Sequence, residues 1–337
     1  MLEAVCFILF ASLTAIYLIA DGFDLGVGTL SLFLRDTRDK AAAAYALWPI
    51  WNGNEVWLLS AVVAHIAQEA IDTLLLSAVV LLMAAFSPVY AAILSSFYIP
   101  AILLAAAIIF RGISLEFYDK VTNAFLKNTL FLFFGIGSAF IAFAVGFVAG
   151  NVMRGIPFES GSFTILPALI DPFSLFMGSS TLFYCALHGA VFLGYKQHGK
   201  ARAFFMPAFI AFIASAAGAT LSGTLTTSLG TALGKPLVFP AVGLCMAALT
   251  SLFFASRRGH TRTAFVLSSL LGIGAVISCA AIMFPNMLAT PGRMLTAYSA
   301  ASSNLPVIIA ITITGIPLAI CFNILSYWVF RTVRKKQ

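Results

Sequence analysis

"WNGNEVWLL", Trp51 to Leu59, decides how the rest of the chain is read. It lies between "AAAAYALWPI" and "SAVVAHIA", so two Asn, a Gly and a Glu stand inside an otherwise apolar run. In a soluble protein this would be an ordinary surface turn. The composition argues otherwise: of 337 residues, 61% are hydrophobic and only 9% charged, against about 25% charged in soluble domains. Most of the length must therefore lie in lipid. Backbone that crosses lipid has to satisfy its own polar groups, so it is helical or a closed barrel. The apolar runs here are about 20 residues or longer and do not alternate strictly, which selects helices. The fold class is all-α and polytopic, a single integral membrane domain over 1–337.

Nine spans are expected, near 2–34, 42–66, 85–113, 128–152, 164–196, 201–229, 236–256, 262–284 and 304–330. Residues 1–152 would form a first bundle and 164–337 the remaining helices. If residue 1 is outside, one side of the membrane holds only Arg154, Lys235 and Arg293. The other side holds the remaining 16 of the 19 basic residues, counting Arg111. That bias puts the N-terminus outside and the C-terminus in the cytoplasm. It also explains the net charge of +7 without nucleic acid. The first segment lacks a basic n-region and carries acids deep in its run, so it is not read as a cleavable signal peptide. Residues 67–84, "AQEAIDTLLLSAVVLLMA", are too apolar for an outer loop, yet a full span there would invert every later basic loop. They are read as a re-entrant, surface-lying or extended helical piece.

The buried polar residues form a pattern. In "LIADGFDLGVG", Asp21 and Asp24 are three apart and share a helix face. Asp21 on the first span and Glu55 on the second would both sit roughly 20 Å from the cytoplasmic end at 1.5 Å per residue. A short connection makes these spans antiparallel neighbours, so Asp21 comes level with Glu55 and Asp24 with Asn52. Gly22, Gly26, Gly28 and Gly53 would let those two backbones approach closely. Arg111, in "IIFRGISLEF", is a candidate counter-charge from the third span. A charge at the bilayer centre costs at least ~2.5 kcal/mol, so such residues face protein or water. Asp21, Asp24, Asn52, Asn54, Glu55, Arg111 and Glu116 are thus the candidate residues of a polar seam. The residues alone leave two readings open: a proton path, or a neutralised knot that pins three helices.

Other chemistry finds little support. The five Cys are scattered singly and show no CxxC spacing. His65 lies near the outer end of its span and His188 on the inner half of another, too far apart in depth to be two axial ligands of one haem. Nothing singles out one of the nine Met for a His–Met pair. The Gly pairs lack phosphate-loop spacing. The 32 Phe read as packing and lipid contact. Trp48, Trp51 and Trp57 on the second span read either as a partner face or as bulky anchors.

Seven stretches taken in order resemble subunit II of the cytochrome bd-type ubiquinol oxidases. They are "DGFDLGVG" (Asp21–Gly28), "WNGNEVWL" (Trp51–Leu58), "SSFYIP" (Ser95–Pro100), "IFRGISLEF" (Ile109–Phe117), "GNVMRGIPF" (Gly150–Phe158), "MFPNM" (Met283–Met287) and "LTAYSAASS" (Leu295–Ser303). The resemblance implies nine spans in two four-helix bundles plus one peripheral helix. It implies pairing with a haem-bearing subunit I that holds three haems and the quinol site, with no redox-active cofactor in this chain. It further implies a scaffold role, a site for membrane lipid or a structural quinone, and a polar route for cytoplasmic protons. A small single-helix accessory subunit is a further candidate partner. Asp21, Asp24, Trp51, Gly53, Asn54, Glu55, Trp57, Arg111 and Glu116 fall on motif positions of the family. Three departures stand out: position 52 is Asn where many members have Asp, Ser299 replaces an acid or amide, and the segment from Leu58 to Ala84 is longer than the usual pattern.

Two functions follow. The first is a non-haem subunit of a quinol:oxygen oxidoreductase, inactive alone, with catalysis in the complex. The second is a secondary transporter of a small solute built around buried carboxylates. Transporters of that kind show paired discontinuous helices from inverted repeats, whereas here the acids cluster in one half, Asp21 to Glu116. That asymmetry favours the oxidase subunit.

Overall fold

In the computed structural model the described residues are 1–34, 39–40, 43, 47, 70–118, 120–156, 166–196, 201–226, 235–290, 293–315 and 317. The expected second span and most of the expected ninth lie outside them. Prolines set the helix breaks. A proline ring clashes with the carbonyl four residues before it and offers no N–H. Pro88 and Pro100 therefore interrupt what the apolar pattern reads as one span over 85–113. Three helices result: α3 (Ala70–Ala85), α4 (Ser87–Ser96) and α5 (Tyr98–Phe117). The 78–85 part of α3 and α4 are bent by 119° at the break. The expected 67–84 piece is thus largely an apolar helix that turns sharply into its successor. The open carbonyl of Ala85 accepts from the Ser302 backbone N–H at 2.9 Å.

The first span is interrupted only at the single residue Asp21, which parts α1 (Leu2–Ala20) from α2 (Gly22–Ser31) without a sharp bend: Asp21 keeps helical angles, φ -92° and ψ -22°, and Leu2–Ser31 runs as one 30-residue span. The ladder continues across it: Asp21 N–H donates to Tyr17 O, and Leu25 N–H donates to Asp21 O, both at 2.8 Å. The remaining helices are α6 (Ala124–Arg154), the short α7 (Leu166–Leu169), α8 (Pro172–Lys196), α9 (Ala201–Thr226), α10 (Val238–Arg257), α11 (Thr261–Met283) and α12 (Leu305–Gly315). The expected span 164–196 begins only at Pro172, because Asp171 caps that helix and proline is suited to its first position. Among the described residues, seven helices are long and apolar enough to cross a membrane.

A feature absent from the sequence reading is a two-stranded antiparallel hairpin, β1 (Asn286–Thr290) and β2 (Arg293–Thr296), with an irregularity between Asn286 and Leu288. It receives the end of α6. Gly155 takes φ +99°, which suits glycine at a helix C-terminus, and Ile156 N–H then donates to Ala289 O at 2.9 Å.

Two apolar cores result. One collects Phe7, Leu13, Phe86, Leu169, Leu288 and Leu295 around the hairpin and the Met1 end of α1. The other collects Phe23, Leu25, Leu115, Leu187, Leu252 and Leu271, joining α2 to α5, α8, α10 and α11. Gly26 and Gly189 bring α2 and α8 backbone to backbone: a Cβ on Gly26 would overlap the Cys185 carbonyl. Gly22 also faces α8, near Tyr184, Cys185 and His188, while Gly28 sits against Ser138 of α6. These glycines thus lie against α8 and α6, and their expected approach to the second span falls outside the described residues. Gly26 and Gly28, two residues and so about 200° apart round the helix, face different neighbours. Gly53 lies outside the described residues.

Candidate functional site: a buried aspartate–arginine cluster

Asp21 sits between α1 and α2 and Asp24 one turn later on the same face. That face meets α5, where Arg111 reaches both acids. Its Nη2 lies 2.6 Å from Asp24 Oδ2 and 3.4 Å from Asp21 Oδ1. The three side chains are 2–7% exposed. Gly137 seats the arginine: a Cβ there would lie 2.9 Å from Ala107 O and 3.4 Å from Arg111 Cβ, so α6 passes close to α5 at this level. Arg111 is accordingly not a loop residue, as the charge count had it. Moving it into the span takes one residue from the basic side without changing the bias.

The arrangement constrains the chemistry. Two carboxylates share one planar guanidinium, whose fixed fork of donors suits a paired acceptor. Removing water from ions costs several kcal/mol per ion, of order of what the pairing returns.

The other expected site residues fall elsewhere. Glu116 is one and a half turns further along α5 and pairs with Lys120, away from the arginine. Asn52, Asn54, Glu55, Trp48, Trp51 and Trp57 lie outside the described residues, as does His65.

His188 is fully buried, and both its ring nitrogens are taken. Nδ1 is 2.7 Å from Ser268 Oγ, and Nε2–H donates to Ile19 O at 3.3 Å. The ring stacks on Phe265 at 4.8 Å and on Tyr184 at 5.7 Å, and Tyr184 O–H donates to Ser268 O at 3.1 Å. A ring held in this way does not fit an iron ligand. Sequence reasoning tested His188 only as a haem ligand and missed this junction of three helices. The available signal was a histidine in an apolar span, four residues after a tyrosine.

A second ionic cluster joins helix ends. Arg154 Nε lies 3.1 Å from Asp171 Oδ2, and its Nη2–H groups donate to Ala168 O (2.8 Å) and Asn151 Oδ1 (3.0 Å). Asp171 Oδ1 accepts from the N–H groups of Phe173 and Ser174.

The family described as cytochrome bd terminal oxidase subunit II matches residues 2–68 and 69–330. This chain belongs to that family. Cytochrome bd-I ubiquinol oxidase subunit 2 of Escherichia coli (strain K12) is 26% identical over 361 residues, covering 93% of this chain and 89% of the relative. Cytochrome bd ubiquinol oxidase subunit 2 of Bacillus subtilis (strain 168) is 26% identical over 343 residues, covering 96% and 94%. A chain in the structure of bd oxidase from Geobacillus thermodenitrificans superposes with a TM-score of 0.73 at 16% identity, covering 98% of both chains. At that identity the superposition speaks for the fold. Membership of the subunit II family disfavours the transporter reading. The match divides at 68/69, inside the stretch that the sequence reading finds longer than usual.

Proposed function

We propose that this chain is the non-haem subunit of a quinol:oxygen oxidoreductase of the cytochrome bd type. In this reading it scaffolds a haem-bearing subunit I and brings protons toward it from the cytoplasmic side. The observation that carries the proton path is the Asp21–Arg111–Asp24 cluster, two acids and one base buried within membrane spans. Haem in the partner supplies the redox chemistry, and this chain alone is inactive. Its own residues hold and pass protons. Asp24 and Asp21 both hold the Arg111 guanidinium, at 2.6 and 3.4 Å. Asn52 cannot ionise, so Glu55 is the ionisable group of "WNGNEVW" that continues the path. The basic bias along the chain supports a cytoplasmic C-terminus and an outside N-terminus. Membrane lipid, a structural quinone and a small single-helix accessory subunit complete the proposed partners.

The test is Glu55→Gln and Asp21→Asn in the assembled complex. Each substitution keeps shape and polar contacts while removing the titrating group. Both variants should retain near-normal haem content and lose about tenfold or more in oxygen consumption, within the range general acid–base groups contribute. Full turnover in both would leave the cluster a structural knot and overturn the proton path, though not the family.

A further inference from the structure

The glycine face of the first span is held by one window of α8. Gly22 lies within van der Waals reach of Tyr184, Cys185 and His188, and Gly26 packs on Cys185 and Gly189. Phe23 stacks on Phe192 at 4.5 Å and meets His188 edge-on at 6.1 Å. One polar contact in this window stands out because it falls next to the acids. Ile19 O, two residues before Asp21, accepts from His188 Nε2–H. A carbonyl can only accept, so Nε2 carries the hydrogen. A side-chain donor that reaches a helix carbonyl ties that turn to the neighbouring helix. The imidazole itself has little freedom. Ser268 holds Nδ1, while Tyr184 and Phe265 sandwich the ring. Nδ1 accepts, so the one hydrogen of the Ser268 hydroxyl is shared between Nδ1, 2.7 Å away, and Phe265 O, 2.9 Å away.

We infer that His188 is a positioning residue for Asp21: by holding the Ile19 carbonyl it fixes the turn that carries Asp21, and so how the Asp21 carboxylate meets Arg111. The helical geometry links the two faces. Gly22 and Gly26, four apart, face α8, while Asp21 lies about 100° and Asp24 about 200° round the same turn from Gly22, and both reach Arg111 on α5. Rotation or straightening of the turn on the α8 side must therefore move the carboxylates on the α5 side. The 3.4 Å contact between Asp21 and Arg111, longer than that of Asp24, is the one that such a movement alters first.

Its consequence for turnover rests on the proton-path reading, whereas its consequence for Asp21 itself does not. The experiment uses the assembled oxidase with its haem-bearing partner. An infrared difference spectrum between wild type and Asp21→Asn assigns the Asp21 carboxyl band. His188→Phe keeps an aromatic ring in the stack but removes both polar contacts. His188→Gln keeps an N–H donor in place of Nε2–H. His188→Phe should move the Asp21 band beyond replicate scatter and lower haem-normalised oxygen consumption several-fold, and His188→Gln should bring both back toward wild type. Ser268→Ala frees Nδ1 with the ring still in place and should move the band in the same direction. It serves as the test if His188→Phe does not assemble. An Asp21 band that stays put in every His188 and Ser268 variant that assembles overturns the inference. A moved band with full turnover, in these variants and in Asp21→Asn alike, supports the positioning role and overturns the proton path instead.

Discussion

Arg111 and Arg154 each hold aspartate, in opposite surroundings. The pair of Arg154 and Asp171 is 24% and 15% exposed and completes helix ends. Pro172 cannot continue the helix through Ala168, and the carbonyl left open there accepts from Arg154. Asp171 closes the first turn of α8 through two backbone N–H groups. Arg111 completes no helix end. It lies within a span, almost wholly buried, against two acids on another span. The same residue types thus make a cap in one place and a costly buried charge cluster in the other. Burial and the state of the nearby backbone separate a structural ion pair from a candidate functional one.

The largest effect expected is from Arg111→Ala. It takes the guanidinium away from two buried carboxylates, at a cost of about 3–5 kcal/mol. Haem-containing complex recovered from membranes should fall more than tenfold, as read from visible spectra. Arg111→Lys should recover little of it, because a single ammonium does not reproduce a fork that reaches two acceptors. Recovery of normal complex with Arg111→Ala would make the two clusters equivalent and break the comparison.

Gly26→Val comes next. Its side chain must enter the backbone of α8, and overpacking of that kind costs about 1–3 kcal/mol. The thermal midpoint of the detergent-solubilised complex should drop by several degrees. A wild-type midpoint would show that α2 and α8 can separate without loss, which removes the support proposed for the acid-bearing turn.

Asp171→Ala sharpens the contrast from the other side. Losing the cap should cost about 1 kcal/mol, lowering the midpoint slightly while turnover per haem stays at the wild-type level. A marked fall in turnover per haem would mean that the helix-end cluster is functional as well.

The smallest effect is expected at Lys235, which caps the end of α11 by donating to Ile282 O at 2.6 Å and Phe284 O at 2.7 Å. Lys235→Gln should cost about 0.3–1 kcal/mol, the usual worth of a cation at a helix C-terminus. Burial lowers the Lys235 pKa from the ordinary lysine value. The folded protein therefore binds this proton less readily than the unfolded chain. Stability from this group should rise with pH between the folded and the ordinary value. The wild-type midpoint should gain on that of Lys235→Gln as pH climbs through that window, and no such trend would indicate that Lys235 is effectively solvated.

The membrane class, the helical state and most spans were legible from the residues, because long apolar runs in lipid admit few structures. The family was legible from ordered motifs. Two errors had causes that the residues already contained. The span read over 85–113 ignored Pro88 and Pro100, and the start of α8 ignored the Asp171–Pro172 pair. The hairpin at 286–296 was not legible, since it is short and is fastened by contacts with the distant end of α6.

For the site, the sequence by itself determined that Asp21 and Asp24 share one face, since a spacing of three closes one helical turn. It also supplied an arginine in a neighbouring span. Only the tertiary structure decided that Arg111 meets both acids while Glu116 turns to Lys120, and that the glycines of "DGFDLGVG" face α8 and α6. It alone brought His188 to Ile19. Local spacing acts over a few residues through helix geometry. The Arg111–Asp21 contact joins residues 90 apart and the His188–Ile19 contact residues 169 apart, and separations of that size are set by how helices pack, which no period in the chain encodes.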